Sequence, residues 1–358
     1  MAFGDSPVLR SYISDNSAGV SPDIIIAMAR VNGGHTAPYG RDSYTAEAEA
    51  ALATLFDHPL DMFPVATGTA ANGLALSVLT PPWGAVLCHP DGHITNDEAG
   101  APEFYTNGAK ILLVDGPNSK IDPDALRHAV RDRVGNIHCV QPAVLSLTQP
   151  TETGSVYTVE EVRELCAIAH EAGLRVHMDG ARFANAVAAL NVAPAELTWK
   201  AGVDVLAFGA TKNGAATVDA VLSFDPALQK DLAYRHKRGG HLFSKMRYQS
   251  AQLTAYITDD LWLNNARQAN AMAARIRDAL SDTAGISIIG DPQANIVFCQ
   301  VPTPVIAAMH HDGFTFYDDH WAPGVIRLVT SFTHTPADID AFTTAMKSHL
   351  TTYIHNEL

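Results

Sequence analysis

Lys212 lies in the run Phe208-Gly209-Ala210-Thr211-Lys212-Asn213-Gly214, directly after the apolar segment Val203-Asp204-Val205-Leu206-Ala207. Asp179 follows a second β-like segment, Leu174-Arg175-Val176-His177-Met178, and opens Asp179-Gly180-Ala181-Arg182. An amine and a carboxyl group, each just past its own buried strand, are the two groups that pyridoxal 5'-phosphate requires. The amine forms a Schiff base with the cofactor aldehyde. The acid keeps the pyridine nitrogen protonated, so that the ring accepts an electron pair. Taken singly, both have blander explanations: a surface or salt-bridged lysine, and an Asp-Gly turn or helix cap.

A third element strengthens the pair. Thr67-Gly68-Thr69-Ala70-Ala71-Asn72 is a small-residue turn opening a helix, and the free backbone N–H groups of such a turn hold phosphate. Simple capping by Thr67 or Thr69 is the competing explanation. The chain has no GxGxxG and no Walker lysine, which weakens a nucleotide-binding α/β reading.

The elements that must carry these residues alternate. Met62-Phe63-Pro64-Val65-Ala66, Ala85-Val86-Leu87-Cys88-His89, Lys110-Ile111-Leu112-Leu113-Val114 and Pro142-Ala143-Val144-Leu145-Ser146-Leu147 read as strands between helical patterns. The helix expected over Thr158 to Ala172 opens on a capping box, Thr158 with Glu161, and Gly173 closes it. This alternation implies a mostly parallel sheet with helices on both faces, whose ligands sit beyond the carboxyl ends of the strands. From about residue 250 the pattern changes. A long helix over Asp259 to Thr283 leads to short β runs at 286–289, 295–301, 314–317 and 325–329, and a final helix spans about Pro336 to Leu350. The expected division is an N-terminal arm over 1–40, a large domain over 41–250 and a small α+β domain over 251–358.

The 358 residues suffice for such a core. Hydrophobic residues make up 47% and charged residues 17%, a globular balance, and the net charge of −14 argues against nucleic acid or an anionic membrane as partner. The four cysteines form no CxxC pair, so no metal site is expected and free thiols in a reducing cytoplasm are. The first residues show neither a charged leader nor an apolar core segment. No run of 18 apolar residues suggests a membrane span.

The motifs taken together resemble the low-specificity L-threonine aldolases, including the phenylserine aldolases, of the aspartate-aminotransferase fold (fold type I). Nearly the whole chain is covered. Ser14-Asp15-Asn16, Tyr39-Gly40, Gly68-Thr69-Ala70-Ala71-Asn72, His93 with Glu98-Ala99-Gly100-Ala101, His177 to Phe183, Thr211-Lys212-Asn213-Gly214, Met246-Arg247 and Ile326-Arg327-Leu328-Val329 fall in the family's order.

The resemblance implies pyridoxal 5'-phosphate as cofactor, on Lys212, with Asp179 at the pyridinium nitrogen. It places Gly68, Thr69 and Ala70 at the phosphate, with Arg247 and Lys237 adding charge there from a neighbouring subunit. Arg182, Arg327 and Ser14 would bind the substrate carboxylate, guanidinium forks matching carboxylates bidentately. His93 would stack on the ring and is a candidate acceptor of the β-hydroxyl proton; His89 and His177 are decoys. Tyr39 would reach across a subunit interface, in a homo-oligomer with shared sites.

The implied reaction is cleavage of a β-hydroxy-α-amino acid to glycine and an aldehyde. β-Elimination and transamination are the rivals on the same fold, and a non-catalytic binding protein is a third. One departure stands out. Where many members carry Asn-Thr-His, this chain has Thr148-Gln149-Pro150-Thr151-Glu152-Thr153-Gly154, so Gln149, Thr151 and Glu152 are all candidates to contact the β-hydroxyl.

Overall fold

The computed structural model describes residues 10–357. Seven strands form the main sheet: β1 (Asp61–Val65), β2 (Gly84–Cys88), β3 (Lys110–Leu113), β4 (Gln141–Thr148), β5 (Arg175–Gly180), β6 (Val205–Phe208) and β7 (Asp219–Ser223), in the order β1-β7-β6-β5-β4-β2-β3. β7 runs antiparallel to both of its neighbours, and the other pairs are parallel. Every parallel strand therefore delivers its carboxyl end to one edge of the sheet.

Alternation along the strands splits the core into two layers. Leu206 and Phe208 of β6 join the cluster containing Met178, Leu147 and Phe56, whereas Val205 and Ala207 face Leu74, Ala75 and Val65. Asp179 is in register with Ala207, so it points to the layer holding the helix Gly68–Leu79. That helix is buried from Ala70 to Ser77, as a nearly uncharged, small-residue sequence permits. The expected capping box at Thr158 is present, with both reciprocal bonds made and the helix running Val159–Glu171.

Gly209 explains how the two key loops lie side by side. A β-carbon there would collide with the backbone of Ala181, so only glycine lets the end of β6 rest against the turn after Asp179.

A second, antiparallel sheet has the order β10-β9-β8, with β8 (Ser287–Ile289), β9 (Ile296–Gln300) and β10 (Val325–Val329). The helices Leu261–Ser281, Thr303–His311 and Pro336–Glu357 cover it through Ile276, Leu280, Ile306, Met309, Phe342 and Met346. The last helix extends past the expected end at Leu350. The strand expected at 314–317 forms only single bridges, Ser11 with Thr315 and Tyr317 with Arg327. The segment is divided between two partners, one residue each, so neither ladder propagates. The first nine residues of the expected arm lie outside the described residues; Tyr12 ties the next stretch down, its N–H bonding the Thr315 carbonyl at 2.7 Å. Among the described residues no helix is long and apolar enough to cross a membrane.

Candidate active site

At the carboxyl edge of the large sheet a cavity of about 290 Å³ is lined by Lys212, Asp179, His93, Gly68, Thr69 and Arg182, together with Asn16, Asn72, Glu98, Glu152 and Asp219. The lysine sits in the single 3₁₀ turn Thr211–Asn213 after β6. Asp219, the first residue of β7, fixes that turn: its Oδ1 accepts the N–H groups of Ala210 at 2.7 Å and Thr211 at 3.0 Å. Asn213 locks the far side, donating to Tyr256 Oη and the Trp262 carbonyl. Burial raises the Asp219 carboxyl group above its ordinary range, against the pull of those N–H groups and of the Lys212 charge. Among the described residues the Lys212 amine has no ion-pair or hydrogen-bond partner, which leaves it available as a nucleophile.

Across the cavity, Asp179 is nearly fully buried and held at both oxygens. Asn72 Nδ2 donates to Oδ2 at 2.8 Å, and the Ala181 N–H to Oδ1 at 3.0 Å. Asn72 also donates to Glu98 Oε1 at 2.8 Å, and that oxygen receives His93 Nδ1 at 2.8 Å. One amide thus ties the acid at the end of β5 to the Glu98–His93 pair. Burial alone would depress His93; its hydrogen bond to Glu98 and the charges of Asp179, Glu152 and Glu98 outweigh this and raise the ring above 6.5. The charged form of the imidazole is therefore favoured relative to a free histidine. Exchanging Glu98→Gln removes the partner that raises it, so the His93 titration should move down, as NMR of the imidazole protons would register.

His177 shares the face of Asp179, one repeat deeper. It is fully buried, bonded to Ser146 Oγ at 2.9 Å and pushed down to about 4 by burial. It does not line the cavity, and neither does His89, whose ring binds the Gly116 carbonyl.

Two ends of the cavity suit anions. Thr67 caps the helix Gly68–Leu79 through the Ala70 N–H at 3.1 Å, leaving the Gly68 and Thr69 N–H groups in the first turn, where no intrahelical carbonyl reaches. At the other end Arg182 lines the wall, with the Arg327 charge near it but outside the lining. Arg182 forks onto buried Asp15, Nε to Oδ2 at 2.7 Å and Nη2 to Oδ1 at 2.9 Å. Burial would raise Asp15, but Arg182, Lys212 and the Asn295 amide hold it below its ordinary value. Arg327 has no acidic partner in ion-pair range among the described residues. Its Nε is buried without an acceptor, its guanidinium lies 5.2 Å from the Tyr317 ring centroid, and burial and the nearby Arg182 charge depress its basicity. Ser14 does not line the cavity: its hydroxyl accepts the Asn16 N–H at 3.2 Å, and Asn16 lines the wall instead.

The profile of the β-eliminating lyase family matches residues 12–303. The chain is 43% identical over 308 residues to the low specificity L-threonine aldolase of Pseudomonas aeruginosa, spanning 86% of this chain and 89% of that one. It is 42% identical, over the same shares, to the protein of that name from a Pseudomonas species. The threonine aldolase structure of Leishmania major superposes with a TM-score of 0.88 at 28% identity, covering 95% of this chain and 99% of that one. The chain belongs to the threonine aldolases of the β-eliminating lyase family. It has their fold type I architecture and is a lyase whose cofactor is pyridoxal 5'-phosphate.

The site fits that cofactor. The unpartnered amine, the anchored acid and the open helix terminus stand around one cavity, and each offers the group chemistry that the aldehyde, the ring nitrogen and the phosphate need. Asn72, Glu98, Asp219 and Asp15 are the members that the sequence left without roles. Asn72 and Glu98 stood inside recognised motifs, so the signal was present without a partner to give it meaning; Asp219 had no signal beyond its place before a buried apolar run.

Besides Ser14, Ala70 and Arg327, which do not line the cavity, three more expected residues of this aldolase family member lie away from it. Arg247 Nη1 reaches the Gly34 carbonyl and Thr36 Oγ1, each at 3.4 Å, and Lys237 Nζ sits 4.9 Å from the Tyr39 ring centroid. Tyr39, with φ 61°, is 46% exposed, so this basic and aromatic group is presented outward.

Proposed function

We propose that the enzyme cleaves L-threonine, L-allo-threonine and related β-hydroxy-α-amino acids such as phenylserine to glycine and an aldehyde. The observation that carries this reading is the meeting, in one cavity, of the Lys212 amine, the anchored Asp179 and the Arg182 guanidinium. When bound, pyridoxal 5'-phosphate supplies the ring that draws off the electron pair released as Cα–Cβ breaks.

The residues do the rest. Lys212 anchors the cofactor through its amine, and Asp179 holds a proton at the ring nitrogen. The Gly68, Thr69 and Ala70 turn receives the phosphate, although the Ala70 N–H is already shared with Thr67. Arg327 and the remaining Nη1 of Arg182 orient the substrate carboxylate, and that orientation decides which Cα bond stands perpendicular to the ring and breaks. Asp15 stiffens Arg182 by occupying the other side of its fork. Ser14 acts through this turn, by capping the segment that bears Asp15 and Asn16. His93, braced by Glu98 at 2.8 Å, would cover the ring face.

A homo-oligomer with shared sites accounts for Tyr39, Lys237 and Arg247: their outward group would complete the phosphate end of a partner's cavity. The division at about residue 250, with the long helix as link, and a reducing cytoplasmic setting for the four free cysteines belong to the same reading.

Incubation with threonine, allo-threonine and both phenylserine diastereomers tests it. Stoichiometric glycine and aldehyde are expected. Ammonia with a keto acid would mark β-elimination instead, and dependence on a keto-acid acceptor would mark transamination.

A further inference from the structure

The loop after β4 replaces the familiar Asn-Thr-His with Thr148 to Gly154, and the structure separates its three polar candidates. Gln149 also lines the cavity, but both ends of its amide are engaged by one neighbour: Nε2 donates to the Tyr157 carbonyl at 2.7 Å, and Oε1 accepts the Tyr157 N–H at 3.0 Å. Thr151 turns away, donating to the Asn118 carbonyl at 3.2 Å, and does not line the cavity. Glu152 does line it. Its Oε1 accepts the backbone N–H of His93 at 3.1 Å, and no hydrogen bond engages Oε2 among the described residues.

The loop presenting this carboxyl group is rigid. Thr151 and Ser155 close it by a 2.8 Å backbone bond, and Gly154, at φ 84°, sits where a β-carbon would strike the Ile296 carbonyl.

We propose that Glu152 is the catalytic group that takes up the β-hydroxyl proton of the substrate. The proposal rests on the aldolase reading above. His93, the other candidate, has its Nδ1 engaged by Glu98 Oε1 at 2.8 Å, and the surrounding Glu98, Asp179 and Glu152 favour its charged form, which makes it the weaker proton acceptor of the two. In the step, the hydroxyl proton passes to a Glu152 oxygen, the Cβ–O bond becomes the aldehyde carbonyl, and the Cα–Cβ bond breaks. Its electron pair stays with the glycine carbon, which afterwards takes one proton, so the whole reaction neither consumes nor releases any.

The charged groups around Glu152 suit it to this task. Burial and the Asp179 charge at the end of β5 raise its proton affinity, while His93, Arg182 and the His93 N–H pull it down, leaving it above the ordinary carboxylate range. Arg327 on β10 also faces it. A base with affinity raised toward the working pH is the more effective one. Because the base must be ionised, cleavage should fall as pH drops through the Glu152 transition.

The test compares wild type, Glu152→Gln and Glu152→Asp as holoenzymes in two reactions: cleavage of phenylserine, and exchange of the glycine α-proton with deuterated solvent. The exchange involves no hydroxyl. Glu152→Gln should lose about 10²- to 10⁴-fold in kcat for cleavage, together with the acid limb of its pH profile. Cofactor absorbance and glycine exchange should stay at wild-type levels, and Glu152→Asp should recover part of the rate. Wild-type cleavage by Glu152→Gln with an unchanged acid limb would overturn the proposal. So would equal losses in both reactions, which would assign Glu152 a structural role. A wild-type enzyme that exchanges glycine but cleaves no β-hydroxy amino acid would instead sink the aldolase reading itself.

Discussion

Exchanging Lys212 for alanine should abolish cleavage, by at least ~10⁴-fold, because the group removed is the covalent anchor and the loss of a nucleophile is not made up by the residues around it. The fold should survive. The amine has no protein partner among the described residues, while the backbone of its turn is held independently by Asp219 through the Ala210 and Thr211 N–H groups and by Asn213 through Tyr256 and Trp262. The visible absorbance of the wild-type holoenzyme should disappear on dialysis of the variant, with the circular dichroism unchanged. A secondary effect follows from electrostatics. Lys212 lowers the proton affinity of both Asp15 and Asp219, so each should rise when the charge is removed. A Lys212→Ala variant that retains either the absorbance band or the cleavage rate would place the anchor elsewhere.

What made Lys212 and Asp179 legible was topology. In a mostly parallel sheet the residues just past the strand ends share one edge, so two apolar runs ending in Lys and Asp could be placed together without knowing the strand order. The helix at Val159–Glu171 was legible for a local reason, since both halves of its capping box lie within four residues.

The features that sequence could not supply depend on distant contacts. β7 is a short, wholly buried run that inserts antiparallel between β1 and β6. Nothing in Asp219-Ala220-Val221-Leu222-Ser223 states that direction, yet it is what carries Asp219 to the lysine turn. Asn72 bridges Glu98 and Asp179, respectively 26 and 107 residues away, and Arg182 finds Asp15 across 167. The Ser14-Asp15-Asn16 motif marked the right place but not the right atoms: the serine serves its own turn, while its two neighbours reach the arginine and the cavity wall. The Glu152 loop was legible as a departure, but ranking its residues required knowing which side chains were already spent on Tyr157 and Asn118.

The second large effect is expected for Asp179→Asn, where charge and hydrogen-bond direction both fail. The wild-type carboxyl group only accepts, from Asn72 on one oxygen and from the Ala181 N–H on the other. An asparagine keeps the shape but has one acceptor. Whichever way it turns, its NH₂ faces a donor, either the Asn72 amide or the Ala181 N–H, and at this nearly buried position no water relieves the conflict. The acid that would hold a proton on the ring nitrogen is lost in the same step. Turnover should drop on the order of 10²- to 10³-fold, the size of loss found when one preorganised electrostatic partner is taken from a water-excluded site. Lys212 is untouched, so the variant should still load cofactor covalently, with a shifted visible band that reports an unprotonated ring. Asn72→Ala separates the two causes. It deletes the bridge while sparing the acid, so it should loosen both Asp179 and the Glu98–His93 pair and cost less than Asp179→Asn. Equal losses in the two variants would mean that geometry rather than charge is the contribution of Asp179, and wild-type turnover by Asp179→Asn would remove this residue from the ring nitrogen altogether.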